Sequence, residues 1–153
     1  MEKLNSHLSQ QEAQRLQATQ EELVERIAHA IREDGVIEPL KGVRLARLTV
    51  PLQKLHSVLQ PSFCVIAQGS KEILLGDSRF QYDPLHYLLT TVELPWVSQV
   101  LEASWERPYL SFRLELDPQL VSAVMLEADY SVLPRHAVAA RAIDVSPLDA
   151  NLL

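Results

Sequence analysis

Between Pro61 and Pro95 the chain reads PSFCVIAQGSKEILLGDSRFQYDPLHYLLTTVELP. Short apolar runs follow one another with turn residues between them and no space for a helix. Runs of roughly 4–8 residues, broken every ~8–12 by Gly, Asp or Pro, are the mark of consecutive antiparallel strands. Gly76-Asp77 stands between Leu75 and Ser78, a two-residue loop of the kind that needs positive φ and closes a tight hairpin. The core of this chain is therefore a β-sandwich or a barrel.

The period-two pattern extends on both sides of this stretch. Strand candidates are Val43–Val50, Lys54–Gln60, Ser62–Gln68, Lys71–Leu75, Ser78–Tyr82, Leu85–Val92, Trp96–Ala103 and Pro108–Leu116, about eight with short connections. Pro51, Pro61, Pro84, Pro95 and Pro108 all fall at run boundaries, where a missing N–H removes no ladder bond.

Helices flank the strands. Ser9 to Asp34 carries Leu16, Leu23, Ile27 and Ile31 at helical spacing, with charged residues opposite. Ser9 and Glu12 fit a capping box, and Gly35 fits a C-cap. The narrow apolar stripe suits packing on its own domain or on a partner. Asp117-Pro118 opens a second helix, Asp as N-cap and Pro at the first helical position. Leu120, Val121, Val124, Met125 and Ala128 form its apolar face. Ser146-Pro147 reads as a third helix start. Its short run to Leu153 fits a fragment of something longer. The expected organisation is a helix over 1–35, a β core over 36–116 and a helical segment over 117–153.

At 153 residues the chain suits one domain with a real core, and its net charge of −6 argues against a surface for DNA or RNA. There is no apolar run of ~18 residues to span a membrane and no secretory leader. Cys64 is the single cysteine, so no internal disulfide forms and a reducing cytoplasm is the expected location.

Signals for catalysis are weak. His7, His29, His56, His86 and His136 include no pair two residues apart, so the ligand set of a metal-binding barrel is missing, although His56 and His86 could meet across one. Cys64 lies in an apolar strand and reads as a small buried hydrophobe. Four glycines form no phosphate loop, and no cofactor is called for. Binding is better supported. His56, Gln68, His86 and Tyr87 are polar or amphipathic residues amid apolar strand, so each is a candidate to fix a ligand; the alternative is a satisfied side chain at a solvated face or strand end. In Pro108–Leu116, Leu110, Phe112, Leu114 and Leu116 share one face, expected to be core or pocket wall. Tyr109, Ser111, Arg113 and Glu115 share the other.

Taken in order, Cys64–Lys71 (CVIAQGSK), Leu75–Asp77 (LGD), Tyr82–Leu88 (YDPLHYL), Leu94-Pro95 and Glu106–Leu110 (ERPYL) resemble the N-terminal regulatory domain of AraC-type transcriptional regulators over roughly Val36–Leu126. The resemblance implies a cupin-like antiparallel β-barrel that senses a small-molecule effector and forms a homodimer. DNA would be bound only through a C-terminal helix-turn-helix domain not present in this chain. Candidates for the dimer surface are Leu23, Ile27, Val121, Val124 and Met125. On this reading the chain is not an enzyme and has no membrane partner. The alternatives are a metal-dependent enzyme on the same barrel and a stand-alone binding module.

Overall fold

The computed structural model describes residues 2–128, 142–149 and 151–153. A long helix, α1 (Glu2–Ala30), precedes nine strands: β1 (Gly35–Leu40), β2 (Val43–Leu48), β3 (Leu55–Leu59), β4 (Ser62–Gln68), β5 (Ser70–Leu75), β6 (Ser78–Tyr82), β7 (His86–Thr90), β8 (Leu94–Glu102) and β9 (Tyr109–Glu115). A short helix, α2 (Pro118–Glu127), and a last strand, β10 (Ile143–Pro147), follow.

The strands form two antiparallel sheets, one of six in the order β1-β2-β9-β4-β7-β10 and one of four in the order β3-β8-β5-β6. Where the resemblance implied about eight strands in one barrel, the described residues show two open sheets, neither closed on itself. The inner faces share one core. Cys64, Ile66, Leu88, Tyr109 and Ile143 from the larger sheet meet Leu59, Ile73, Tyr82, Trp96 and Val100 from the smaller.

All eight expected strands are present. Gly76 sits at φ 57 between paired Leu75 and Ser78, so the tight hairpin forms where the residue without a Cβ allows it. A second glycine does different work. Gly69, at φ 91, is the single residue between β4 in one sheet and β5 in the other. A Cβ there would collide with the backbone carbonyl of Glu102.

Several expectations at the ends are corrected. Ser9 lies well inside α1, so it caps nothing at a helix start, and Gly35 opens β1 rather than closing the helix. Ser146-Pro147 ends a strand, not the start of a helix. Its stretch pairs with β7 from Ile143↔Thr90 to Pro147↔His86, and Pro147 is tolerated because it closes an edge strand. Residues 129–141 of the expected helical segment over 117–153 lie outside the described residues. Asp117 does cap α2, its carboxylate accepting from the Gln119 N–H at 2.8 Å.

The stripe of α1 packs on its own domain. Ile27 and Ile31, buried, and Leu23 and Val24, partly so, lie against Leu45, Ala67, Leu110 and Phe112 on the outer face of the larger sheet. Of the residues named for a dimer surface, Ile27 is thus buried within its own domain and Leu23 partly so. The Gln20 amide adds a bond to the Pro84 carbonyl, and Arg47 bonds the Arg32 carbonyl beyond the helix. No helix among the described residues is long and apolar enough to cross a membrane.

Candidate functional site

Successive strand side chains alternate between faces, so the inner face of each strand can be read two residues at a time. In β9, Leu110 and Phe112 face α1, which turns Tyr109, Ser111 and Arg113 inward. In β2, Leu45 faces α1 and Arg44, Ala46 and Leu48 point inward. In β5, Ile73 is fully buried in the shared core, which places Lys71 on the same side. These inward positions leave a cavity of about 460 Å³ between the sheets.

One wall of the cavity is Arg44, Cys64, Tyr109, Ser111 and Arg113; the facing wall is Lys71, Tyr82, Trp96, Ser98 and Val100. Its mouth lies by Val36, Leu52 and Leu55, apolar residues that are 64%, 38% and 54% exposed. The Trp96 indole N–H donates to the Ser57 hydroxyl at 2.5 Å, which fixes the ring. Against that ring lies the Lys71 ammonium, 4.8 Å from its centroid, a cation–π contact in a desolvated place.

Among the described residues no acidic side chain lines this cavity, although the chain as a whole is acidic. Three cations do: Lys71, Arg44 and Arg113. Glu115 reaches Arg44 at 3.2 Å and Arg113 at 3.9 Å, and Glu38 approaches Arg44 at 4.0 Å. The Nε atoms of both arginines are buried without a hydrogen-bond partner. Lys71 has no carboxylate within ion-pair distance among the described residues.

Burial pushes the Lys71 pKa down to about 8, because a charged ammonium is poorly solvated there; Cys64 opposes the shift and Arg113 adds to it. The same desolvation raises the Cys64 thiol, so it stands as a neutral thiol and not as an activated nucleophile. Tyr82 and Tyr109 are likewise pushed up by burial, and both remain phenols. The cavity is thus apolar and aromatic, with fixed positive charge at one part of its lining.

None of the four ligand candidates named from sequence lines it. His56 is exposed, on the opposite face of β3 from Leu55 and Ser57. Gln68 holds the Pro108 carbonyl at 2.8 Å through its side-chain amide, a structural bond near the β4–β5 crossing. His86 pairs with the Asp83 carboxylate at 2.8 Å, and Tyr87 rests against Phe63 with ring centroids 5.4 Å apart. His56 and His86 belong to different sheets. No group of three or more potential metal ligands occurs among the described residues.

Sequence reasoning missed Lys71 and Arg113, and a signal for Lys71 was present. In KEILL, Lys71 shares parity with Ile73 and Leu75, so a core-facing Ile73 turns Lys71 inward. On α2, Leu120, Val121, Val124, Met125 and Leu126 are 62%, 39%, 55%, 44% and 82% exposed, and no residue of the helix is buried.

A family model for the AraC-type transcriptional regulator N-terminus matches residues 39–153. No curated protein and no solved structure gives a significant match to the chain.

Proposed function

Because the chain belongs to the AraC-type transcriptional regulator N-terminus family, we propose that it is the effector-sensing and dimerising part of a cytoplasmic regulator and carries no catalytic activity of its own. The cavity between the sheets carries this reading. Its volume lies in the range of small-molecule sites, and its lining mixes apolar walls with a few polar groups. DNA is contacted by a separate domain, a reading in keeping with this chain's net charge of −6. A cupin-like arrangement is the fold proposed for the two facing sheets, with the effector held between them.

β9 supplies the route by which occupancy is reported. It carries Tyr109, Ser111 and Arg113 into the cavity, ends at Glu115, and leads into α2 at Pro118. An effector that favours one position of β9 biases the position of α2. It shifts that equilibrium only by its differential affinity for the two arrangements. The exposed apolar side of α2, with Val121, Val124 and Met125, is the proposed dimer surface.

A thermal-unfolding screen of small molecules tests the sensing role, since a ligand of the folded state stabilises by mass action. Hits that raise the melting temperature of the wild type but not of a cavity-filling Ser98→Phe variant support it. A screen in which hits act equally on both would overturn the cavity as the site. For the dimer, sedimentation at tens of micromolar is expected to show two copies for the wild type and one for Val124→Glu. A monomeric wild type counts against α2 as the interface.

A further inference from the structure

We propose that the ligand of the inter-sheet cavity is an amphipathic organic monoanion, a carboxylate with an apolar or aromatic body, its head group held between Lys71 and Arg113. This deepens the effector-site reading and rests on it.

Charge carries the inference first. A buried ammonium is unfavourable unless an anion or strong acceptor accompanies it. Lys71 is partly buried and has neither among the described residues, where its close partner is the Trp96 ring. Among the described residues, the ionisable groups that line the cavity with it are neutral or cationic: the Cys64 thiol on β4, the Tyr82 phenol on β6, the Tyr109 phenol and Arg113 guanidinium on β9, and the Arg44 guanidinium on β2. Its depressed pKa states the same imbalance in another form.

The orphan donors carry it second. The Nε of Arg113 is buried with no acceptor, and the Glu115 carboxylate stands 3.9 Å from its terminal nitrogen, too far for a good hydrogen bond. Buried donors without partners are rare in folded proteins and call for an unplaced acceptor. Two carboxylates, Glu38 and Glu115, balance the two arginines. One positive charge remains, on Lys71, and one negative charge on a ligand would neutralise it.

The rest of the lining sets the body of the molecule. Tyr82, Trp96 and Val100 give an aromatic and aliphatic wall that a fully hydrated ion such as inorganic phosphate does not use, and the mouth residues Val36 and Leu55 continue that character outward. A carboxylate offers two acceptor oxygens, enough for one ammonium and one guanidinium edge.

Matched probes test the proposal by calorimetry and thermal unfolding. Octanoate and phenylacetate are compared with octanamide and phenylacetamide, and with sodium phosphate, on the wild type and on Lys71→Met, which keeps the shape and removes the charge. Binding of a carboxylate, at least tenfold weaker for its amide and lost by roughly tenfold or more in Lys71→Met, is the expected result. Equal binding of amide and acid, unchanged in Lys71→Met, overturns the anion proposal and leaves the cavity as an effector site. Phosphate binding as tightly as the carboxylates overturns the amphipathic part. Silence of every organic probe, together with a wider small-molecule screen that finds no cavity ligand, overturns both the proposal and the sensing reading. Far-UV circular dichroism of Lys71→Met confirms that any loss is not a loss of fold.

Discussion

The two faces of the six-stranded sheet are made by the same strands and have opposite characters. Outside, Leu45, Ala67, Leu110 and Phe112 meet α1 in ordinary apolar packing. Inside, the alternate residues Arg44, Cys64, Tyr109, Ser111 and Arg113 border a space. The outer face is a closed interface in which each side chain has a neighbour. The inner face keeps donors and a cavity that a core built for stability alone would have filled. The contrast separates what holds the domain together from what leaves it able to bind.

Substitutions on β9 break the comparison most sharply. Leu110 is 1% exposed and packed under α1, so Leu110→Ala is expected to lose roughly 2–5 kcal/mol in urea unfolding. Its neighbour Ser111 faces the cavity, and Ser111→Ala should lose about 1 kcal/mol or less. Equal losses at the two positions would show that the inner face is packed as tightly as the outer one.

A pH series sharpens the comparison with a smaller effect. The folded pKa of Lys71 lies near 8, below its ordinary 10.5. Between those values the unfolded chain holds more protons at this site, so the Lys71 contribution to stability rises with pH across that window. Cys64, Tyr82 and Tyr109 have raised pKa values and act in the opposite sense. The readout is therefore the stability difference between the wild type and Lys71→Met, expected to rise in favour of the wild type from about pH 8 to pH 10.5. A flat difference would mean that the ammonium is solvated. Smallest of all, His56→Ala is expected to change stability by no more than about 0.5 kcal/mol and to leave ligand binding unaltered, because the ring is exposed on the far side of β3.

Much of the fold is legible because the chain between Val43 and Glu115 alternates cleanly and its turns are marked by Gly, Asp and Pro. β1 was not, because all of its residues are exposed and it carries Pro39 and a register irregularity between Ile37 and Leu40. β10 was hidden by Ser146-Pro147, a pair that serves equally to open a helix or to close an edge strand. The site was less legible than the fold. In β9 Leu110 and Phe112 form core under α1 as expected, and Phe112 also borders the cavity, but Tyr109, Ser111 and Arg113 from the other face line it too. The reason is α1. A helix covering the outer face absorbs the apolar side of the strand, so the polar side turns inward, and strand polarity read alone could not say which face the helix would take.

The passage from β4 to β5 through Gly69 gives the cavity a spine. Cys64 and Lys71 stand on opposite walls, yet only six residues separate them in the chain, and the sheets are joined there by one residue that admits no side chain. At the other margin Val36, Leu52 and Leu55 lie partly open to solvent. The two sheets are joined by a single residue at Gly69 and by the six-residue link from β2 to β3 at this margin, on which Leu52 lies, so the chain leaves more slack on the side where a ligand would enter.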